Sequence, residues 1–233
     1  MNRMAISLVA GIATLGFVSS TYAADLIVEA PYVEPGVIDI SGDWDGAYVG
    51  VFGGYGWGTA DHVPTGGPCF PDGCDVDMDG WLLGVTAGAN FTVGSGFILG
   101  VAGDIAWSNV EGTEDFGGLV GEISNGVDWE GSIRGVAGFD GGSFMPYVTA
   151  GFAVAHAWHE ADFGDDGASD ATHMGWTAGV GVAVAVADNV TLDLQYRHSW
   201  YDEQTYEMDD LIIPDPVFGL STDRITAGLN FNF

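Results

Sequence analysis

The chain has 233 residues, enough for one barrel or one large sandwich. It carries 33 acidic and 4 basic residues, with no lysine, and the net charge of −29 excludes ordinary nucleic-acid binding, which needs a basic footprint. Acidity of this order suits a disordered chain, but 47% of residues are hydrophobic and 12% aromatic, so charge and apolarity must instead be segregated along the sequence.

The first residues have the layout of a secretory signal. Arg3 supplies a positive start, residues 5–18 are an apolar stretch, and residues 20–24 (STYAA) offer a small-residue cleavage site after Ala23. The stretch is shorter than the roughly 20 residues that a spanning helix needs. No later run is long and apolar enough for one, so any membrane insertion must be by a barrel. Residues 1–23 are therefore expected to be a signal peptide. Residues 24–43, with Pro31 and Pro35 among Asp25, Glu29, Glu34 and Asp39, are expected to form an extended periplasmic tail.

From Trp44 onward the chain repeats one unit: an alternating segment, a short turn, an alternating segment, a long acidic loop. Eight segments can be placed. The first, about 47–57, is glycine-rich and its facing is ambiguous. The second, 81–93, sets Trp81, Leu83, Val85, Phe91 and Val93 against Gly84, Thr86, Gly88 and Asn90; a period of two is that of a strand. The third, 97–107, opposes Phe97, Leu99, Val101, Ile105 and Trp107 to Asp104. In the fourth, 127–139, Val127, Trp129, Ile133 and Phe139 are opposed to Asp128, Glu130, Ser132 and Arg134.

The fifth, about 145–159, has less clear facing. The sixth, 176–186, sets Trp176 and four valines against Thr177, Gly179, Gly181 and Ala183. The seventh, 190–200, sets Val190, Leu192, Leu194 and Tyr196 against Asp193, Gln195, Arg197 and Ser199. In the eighth, Ile225, Ala227, Leu229, Phe231 and Phe233 alternate with Arg224, Thr226, Gly228, Asn230 and Asn232.

Residues 94–96, 140–143 and 188–189 have the Gly, Asn and Asp of hairpin turns. The other connections, about 59–80, 108–126, 160–173 and 201–223, are long and hold most of the carboxylates. Short turns at one end and long loops at the other, with aromatics at both ends of the strands, describe an all-β fold: an eight-stranded antiparallel transmembrane β-barrel over residues 44–233, with short periplasmic turns and four long extracellular loops.

The segments at 44–58 (WDGAYVGVFGGYGWG), 129–139 (WEGSIRGVAGF), 146–155 (PYVTAGFAVA), 175–200 and 223–233 (DRITAGLNFNF), in this order and spacing, resemble the OmpA-like eight-stranded barrels of alphaproteobacteria, a porin family that includes surface antigens. The resemblance implies a structural outer membrane protein of a Gram-negative bacterium. Such a protein would support the envelope and act as a surface antigen or interaction platform. Its partners would be outer membrane lipid and lipopolysaccharide, and the outer membrane assembly machinery, which reads a C-terminal signal here matched by Phe231 and Phe233. A narrow porin passing ions or small solutes is the alternative. The acidic, lysine-free composition and the first-loop cysteines depart from the family pattern, and the acidity suggests a saline habitat.

An eight-stranded barrel has an interior just wide enough for side chains to fill, and charges inside it must pair. Arg134, Arg197 and Arg224 all have inward parity, as do Asp104, Glu130 and Asp193, so a lumenal charge network that plugs the barrel is expected. Cys69 and Cys74, close together in an exported loop, are expected to form a disulfide. Asp75, Asp77, Asp79 and Gly80 match the first half of a calcium loop, but Thr86 stands where its twelfth ligand would be. Weak divalent-cation binding by the acidic loops is the alternative to a solvated, negatively charged surface.

No catalysis, metal site or cofactor is expected. A His–Ser pair on one outer face could serve a lipid-directed hydrolase, but His198 and Ser199 are adjacent and so point to opposite faces of a strand. His156, His159 and His173 flank the third loop, and nothing fixes their geometry or that of Asp209 and Asp210 for chemistry at the rim.

Overall fold

The computed structural model describes residues 43–63, 75–115, 122–162, 166–205 and 217–233. Eight strands follow one another: β1 (Gly46–Val63), β2 (Val76–Val93), β3 (Phe97–Asp115), β4 (Glu122–Phe139), β5 (Phe144–Asp162), β6 (Asp166–Ala187), β7 (Val190–Thr205) and β8 (Val217–Asn232). Each pairs antiparallel with its neighbour in sequence, and β1 also pairs with β8, which closes the barrel. Closure leaves no strand edge with unpaired backbone groups, the condition for sheet to cross a lipid bilayer. Residues 1–23, where a signal peptide is expected, the expected tail to residue 42, and Cys69 and Cys74 lie outside the described residues.

The alternation sorts side chains as the sequence predicts. Trp81, Leu83, Val101, Trp107, Ile133, Trp176, Leu229 and Phe231 are exposed on the outer wall, whereas Arg134, Thr177, Arg197, Arg224 and Thr226 are buried inside. The two strands without clear facing are settled here. Val49, Val51 and Trp57 of β1 point outward and Phe52 and Ala60 inward; Val148 and Phe152 of β5 point outward and Met145, Tyr147 and Thr149 inward.

Two aromatic girdles bound the outer wall. Trp81, Trp107, Trp176 and Trp200 lie toward the long loops, and Phe91, Phe97, Phe139 and Phe231 toward the short turns. Trp81 and Phe91, Phe97 and Trp107, and Trp129 and Phe139 are each ten positions apart. Ten residues span about 33 Å of strand. Tilted by ~40°, that is an apolar band of about 25 Å, the height such barrels present to lipid.

Beyond the Trp girdle the structure departs from the sequence reading. The ladders continue well past it, so that Asp162 still pairs with Asp166 at the far end of β5 and β6. Much of what reads as loop in 59–80, 108–126, 160–173 and 201–223 is strand. Above the lipid band the outer face turns polar while the inner face stays apolar, as in β2, where Asp77 and Asp79 are exposed and Val76 and Met78 buried, so the lipid-facing pattern that marks these strands in sequence ends while the hydrogen bonding goes on.

One facing assignment is corrected. Val127 is 3% exposed and points inward, while Asp128 is exposed. A register shift between Val127 and Trp129 marks a β-bulge in β4, and one extra residue reverses the parity of everything beyond it.

Candidate functional site

The barrel interior is layered. At mid-height Asp104 of β3 reaches into the lumen with a side chain only 1% exposed, and three arginines converge on it. Arg197 from β7 is bidentate, its Nη1 and Nη2 donating to Oδ1 and Oδ2 at 2.9 and 3.0 Å. Arg134 Nη2 from β4 donates to Oδ1 at 3.0 Å. Arg224 from β8 bridges the Asp104 and Glu130 carboxylates. Ser132 donates its hydroxyl to Asp104 and accepts from Arg134 Nε at 2.9 Å and Arg197 Nη1 at 3.1 Å. The bonds to Asp104 cross the lumen between β3, β4, β7 and β8, so the layer spans the barrel as well as lining it.

Five of the six charged residues predicted to pair are thus in direct contact. Asp193 is placed otherwise: it accepts from the Tyr147 hydroxyl at 2.8 Å, and the chain of contacts runs on through Gln195 Nε2 to Tyr147 at 2.9 Å and Arg134 Nη1 to Gln195 Oε1 at 3.1 Å. Asp193 lies four residues along β7 from Arg197, toward the short turns, out of reach of the arginine layer.

Apolar side chains pack on both sides of this layer. Toward the long loops lie Val76, Met78, Val110, Val127, Tyr201 and Leu220. Toward the turns lie Trp44, Ile98, Val136, Met145, Tyr147 and Ala185. A cavity of about 60 Å³ remains on the turn side, lined by Trp44, Tyr48, Asn90, Thr191, Asp193 and Asn230 among others, and one of about 10 Å³ lies on the loop side beside Glu130 and Arg224. The larger has room for about four waters, at roughly 15 Å³ each.

The remaining sequence candidates separate. His198 points outward and its Nδ1 meets Asp223 Oδ1 at 2.8 Å, while Ser199 points inward and donates to Thr177 Oγ1 at 3.0 Å. His156 is outside, stacked on Trp129 with ring centroids 6.0 Å apart. His159 and His173 are buried inside the barrel, with Nδ1 of His159 2.7 Å from Asn125 Oδ1 and Nδ1 of His173 3.0 Å from the Asp202 carbonyl. The three histidines therefore do not form one surface group. Asp77 and Asp79 are exposed residues of β2, bonded to Thr59 and Tyr55, so the calcium-loop pattern falls on a regular strand rather than a turn. Asp209 and Asp210 lie outside the described residues. Phe231 and Phe233 are both exposed, in edge-to-face contact at 5.1 Å.

Sequence reasoning missed Trp44 and Tyr147. Trp44 precedes the first alternating segment, and Tyr147 lies in the segment whose facing was unclear. The signal available for Trp44 was its position: with Asp43, Asp45 and Gly46 beside it, an isolated aromatic in a polar turn needs somewhere to be buried.

A family model described as the outer membrane protein β-barrel domain matches residues 10–233. The chain is 31% identical to the 25 kDa outer-membrane immunogenic protein of Brucella canis over the whole of both chains. It is 30% identical to the 22 kDa outer membrane protein of Rhizobium leguminosarum bv. viciae, over 72% of this chain and 70% of that one. Among solved structures, the outer membrane protein OprG from Pseudomonas aeruginosa superposes with a TM-score of 0.49 at 13% identity, covering 84% of this chain and 100% of that one.

Proposed function

The chain belongs to the outer membrane protein β-barrel family, and from that membership we propose that it is a structural barrel with an occluded lumen, supporting the envelope and presenting its loops at the cell surface as an antigen or interaction platform. The observation that carries the occluded lumen is Asp104, one buried carboxylate bound by three arginines across the barrel. A solute would have to part those contacts and expose unpaired charge in a confined interior, which is costly. The relatives' name, immunogenic protein, supports surface presentation. A non-catalytic role is supported by His198 and Ser199, which occupy opposite faces and so cannot act as a hydrolytic pair. Lipopolysaccharide is the lipid that the outer wall meets, the assembly machinery reads Phe231 and Phe233, and residues 1–23 and 24–43 act as export signal and periplasmic tail.

Planar-bilayer conductance tests this reading. The mature chain, refolded in detergent and shown by heat-dependent gel mobility to be a folded barrel, should be electrically silent. A narrow pore is the second reading, favoured by the cavity of about 60 Å³. It would give discrete, sustained steps that a bulky residue at inward-facing Ala183 reduces, and that result would overturn the occluded lumen.

A further inference from the structure

Trp44 differs from the tryptophans of the outer girdle. It is 7% exposed, lies ahead of β1, and belongs to the buried turn-side cluster that also holds Ile98, Val136, Met145, Tyr147 and Ala185. Its indole Nε1 donates to Asp140 Oδ1 at 3.1 Å. Asp140 belongs to the turn between β4 and β5, on the far side of the ring from β1, so the side chain and its hydrogen bond extend across the mouth.

The backbone around it is built for this placement. Asp45 N donates to Asp43 Oδ1 at 3.2 Å, and Asp45 Oδ1 accepts from Thr92 N at the end of β2, which ties the entering chain to the rim. Gly46 then turns the chain into β1 with φ at +116°, a conformation open to glycine. A Cβ there would also lie 2.5 Å from the Phe233 carbonyl oxygen. Beside the indole lies the cavity, with Tyr48, Asn90, Thr191 and Asp193 in its wall next to apolar Val136 and Met145.

We infer that Trp44 is a tethered stopper that closes the turn-side mouth of the barrel over a small vestibule whose other end is the charge layer. The packing makes the closure: a large apolar ring set among apolar neighbours keeps water from exchanging freely with the cavity. The Asp140 bond fixes the ring across the mouth. The vestibule opens when that bond breaks and the ring swings out about Gly46. This inference rests on the occluded lumen, because Asp104, Arg134 and Arg224 of the charge layer line the same cavity; equal, fast labelling in a conducting barrel would overturn the occluded lumen, and equal rates in a silent one the stopper.

Thiol accessibility tests it. In the full barrel with both native cysteines replaced (C69S/C74S), a single cysteine at the buried cavity position Thr191 (T191C) is allowed to react with a small, charged methanethiosulfonate. With Trp44 in place, labelling should be slow. In W44A it should be about tenfold faster or more, as for a site whose local closure has been removed. W44F keeps a ring but lacks the N–H and should fall between the two. Heat-dependent gel mobility confirms that each variant is folded, and W44F serves if W44A does not fold. Equal rates with Trp44, W44F and W44A in an electrically silent barrel would overturn the stopper. A W44F rate equal to that with Trp44, beside a fast W44A, would overturn the role given to Asp140.

Discussion

At Asp104 the protein sets three guanidinium groups around one carboxylate that is 1% exposed. Truncating that carboxylate (D104A) would leave Arg134 and Arg197 without their shared partner and Arg224 with Glu130 alone. Breaking a buried pair by removing one partner costs about 3–5 kcal/mol, and here three cations are affected at once. The urea midpoint of the barrel in lipid vesicles should fall clearly for D104A, and also for R197E, which turns a bidentate contact into repulsion between two carboxylates. D193N should fall much less, because an amide oxygen still accepts from Tyr147. A D104A midpoint equal to that of the unsubstituted barrel would mean that the charge layer contributes nothing to stability. The sequence gives Asp104 and the three arginines the same inward parity, so this part of the site could be read directly. The partner of Asp193 could not, because parity gives a residue's face, whereas its height in the lumen depends on the register between strands.

The strands themselves differ in how openly they announce their facing. In β8 the alternation from Arg224 to Phe233 is unbroken and the structure follows it residue for residue. In β1 the glycines at 50, 53, 54, 56 and 58 erase the contrast between faces, and in β5 the alanines at 150, 153, 155 and 157 do the same, since a small side chain suits either wall. The backbone ladder sets the facing of these strands through neighbours that carry the stronger pattern. Strand β4 shows the opposite failure, in which a clear pattern misleads because a bulge intervenes. The bulge yields a paired prediction. V127D would bury an unpaired carboxylate among Val76, Val110 and Leu220 and should cost several kcal/mol. D128V changes an exposed residue and should lie within about 0.5 kcal/mol of the unsubstituted barrel. Denaturant midpoints compare the two, and the reverse order would refute the bulge.

Over the whole molecule the charges are partitioned by sign. Arg134, Arg197 and Arg224 are 5%, 2% and 4% exposed, so the described outer surface carries no lysine or arginine, while Asp77, Asp79, Asp128, Asp170 and Glu160 are exposed at or beyond the level of the Trp girdle. Within the barrel Asp104, Glu130 and Asp193 balance the three arginines, so the net negative charge of the described residues is displayed outward, where it repels other anions. Folding into a bilayer rich in phosphatidylglycerol should be slower than into phosphatidylcholine at low ionic strength. The difference should close near 1 M salt, where the Debye length has shrunk from ~30 Å at 0.01 M to ~3 Å. The rate is read from the shift in gel mobility as the barrel forms. Equal rates in the two lipids at low salt would remove long-range repulsion, and with it the physical basis for linking this composition to a saline habitat. Magnesium separates two ways in which salt could act. If it closes the gap no better than sodium at matched ionic strength, the carboxylates are only screened; if it acts well below that ionic strength, they bind the divalent ion and can share it with lipid phosphate.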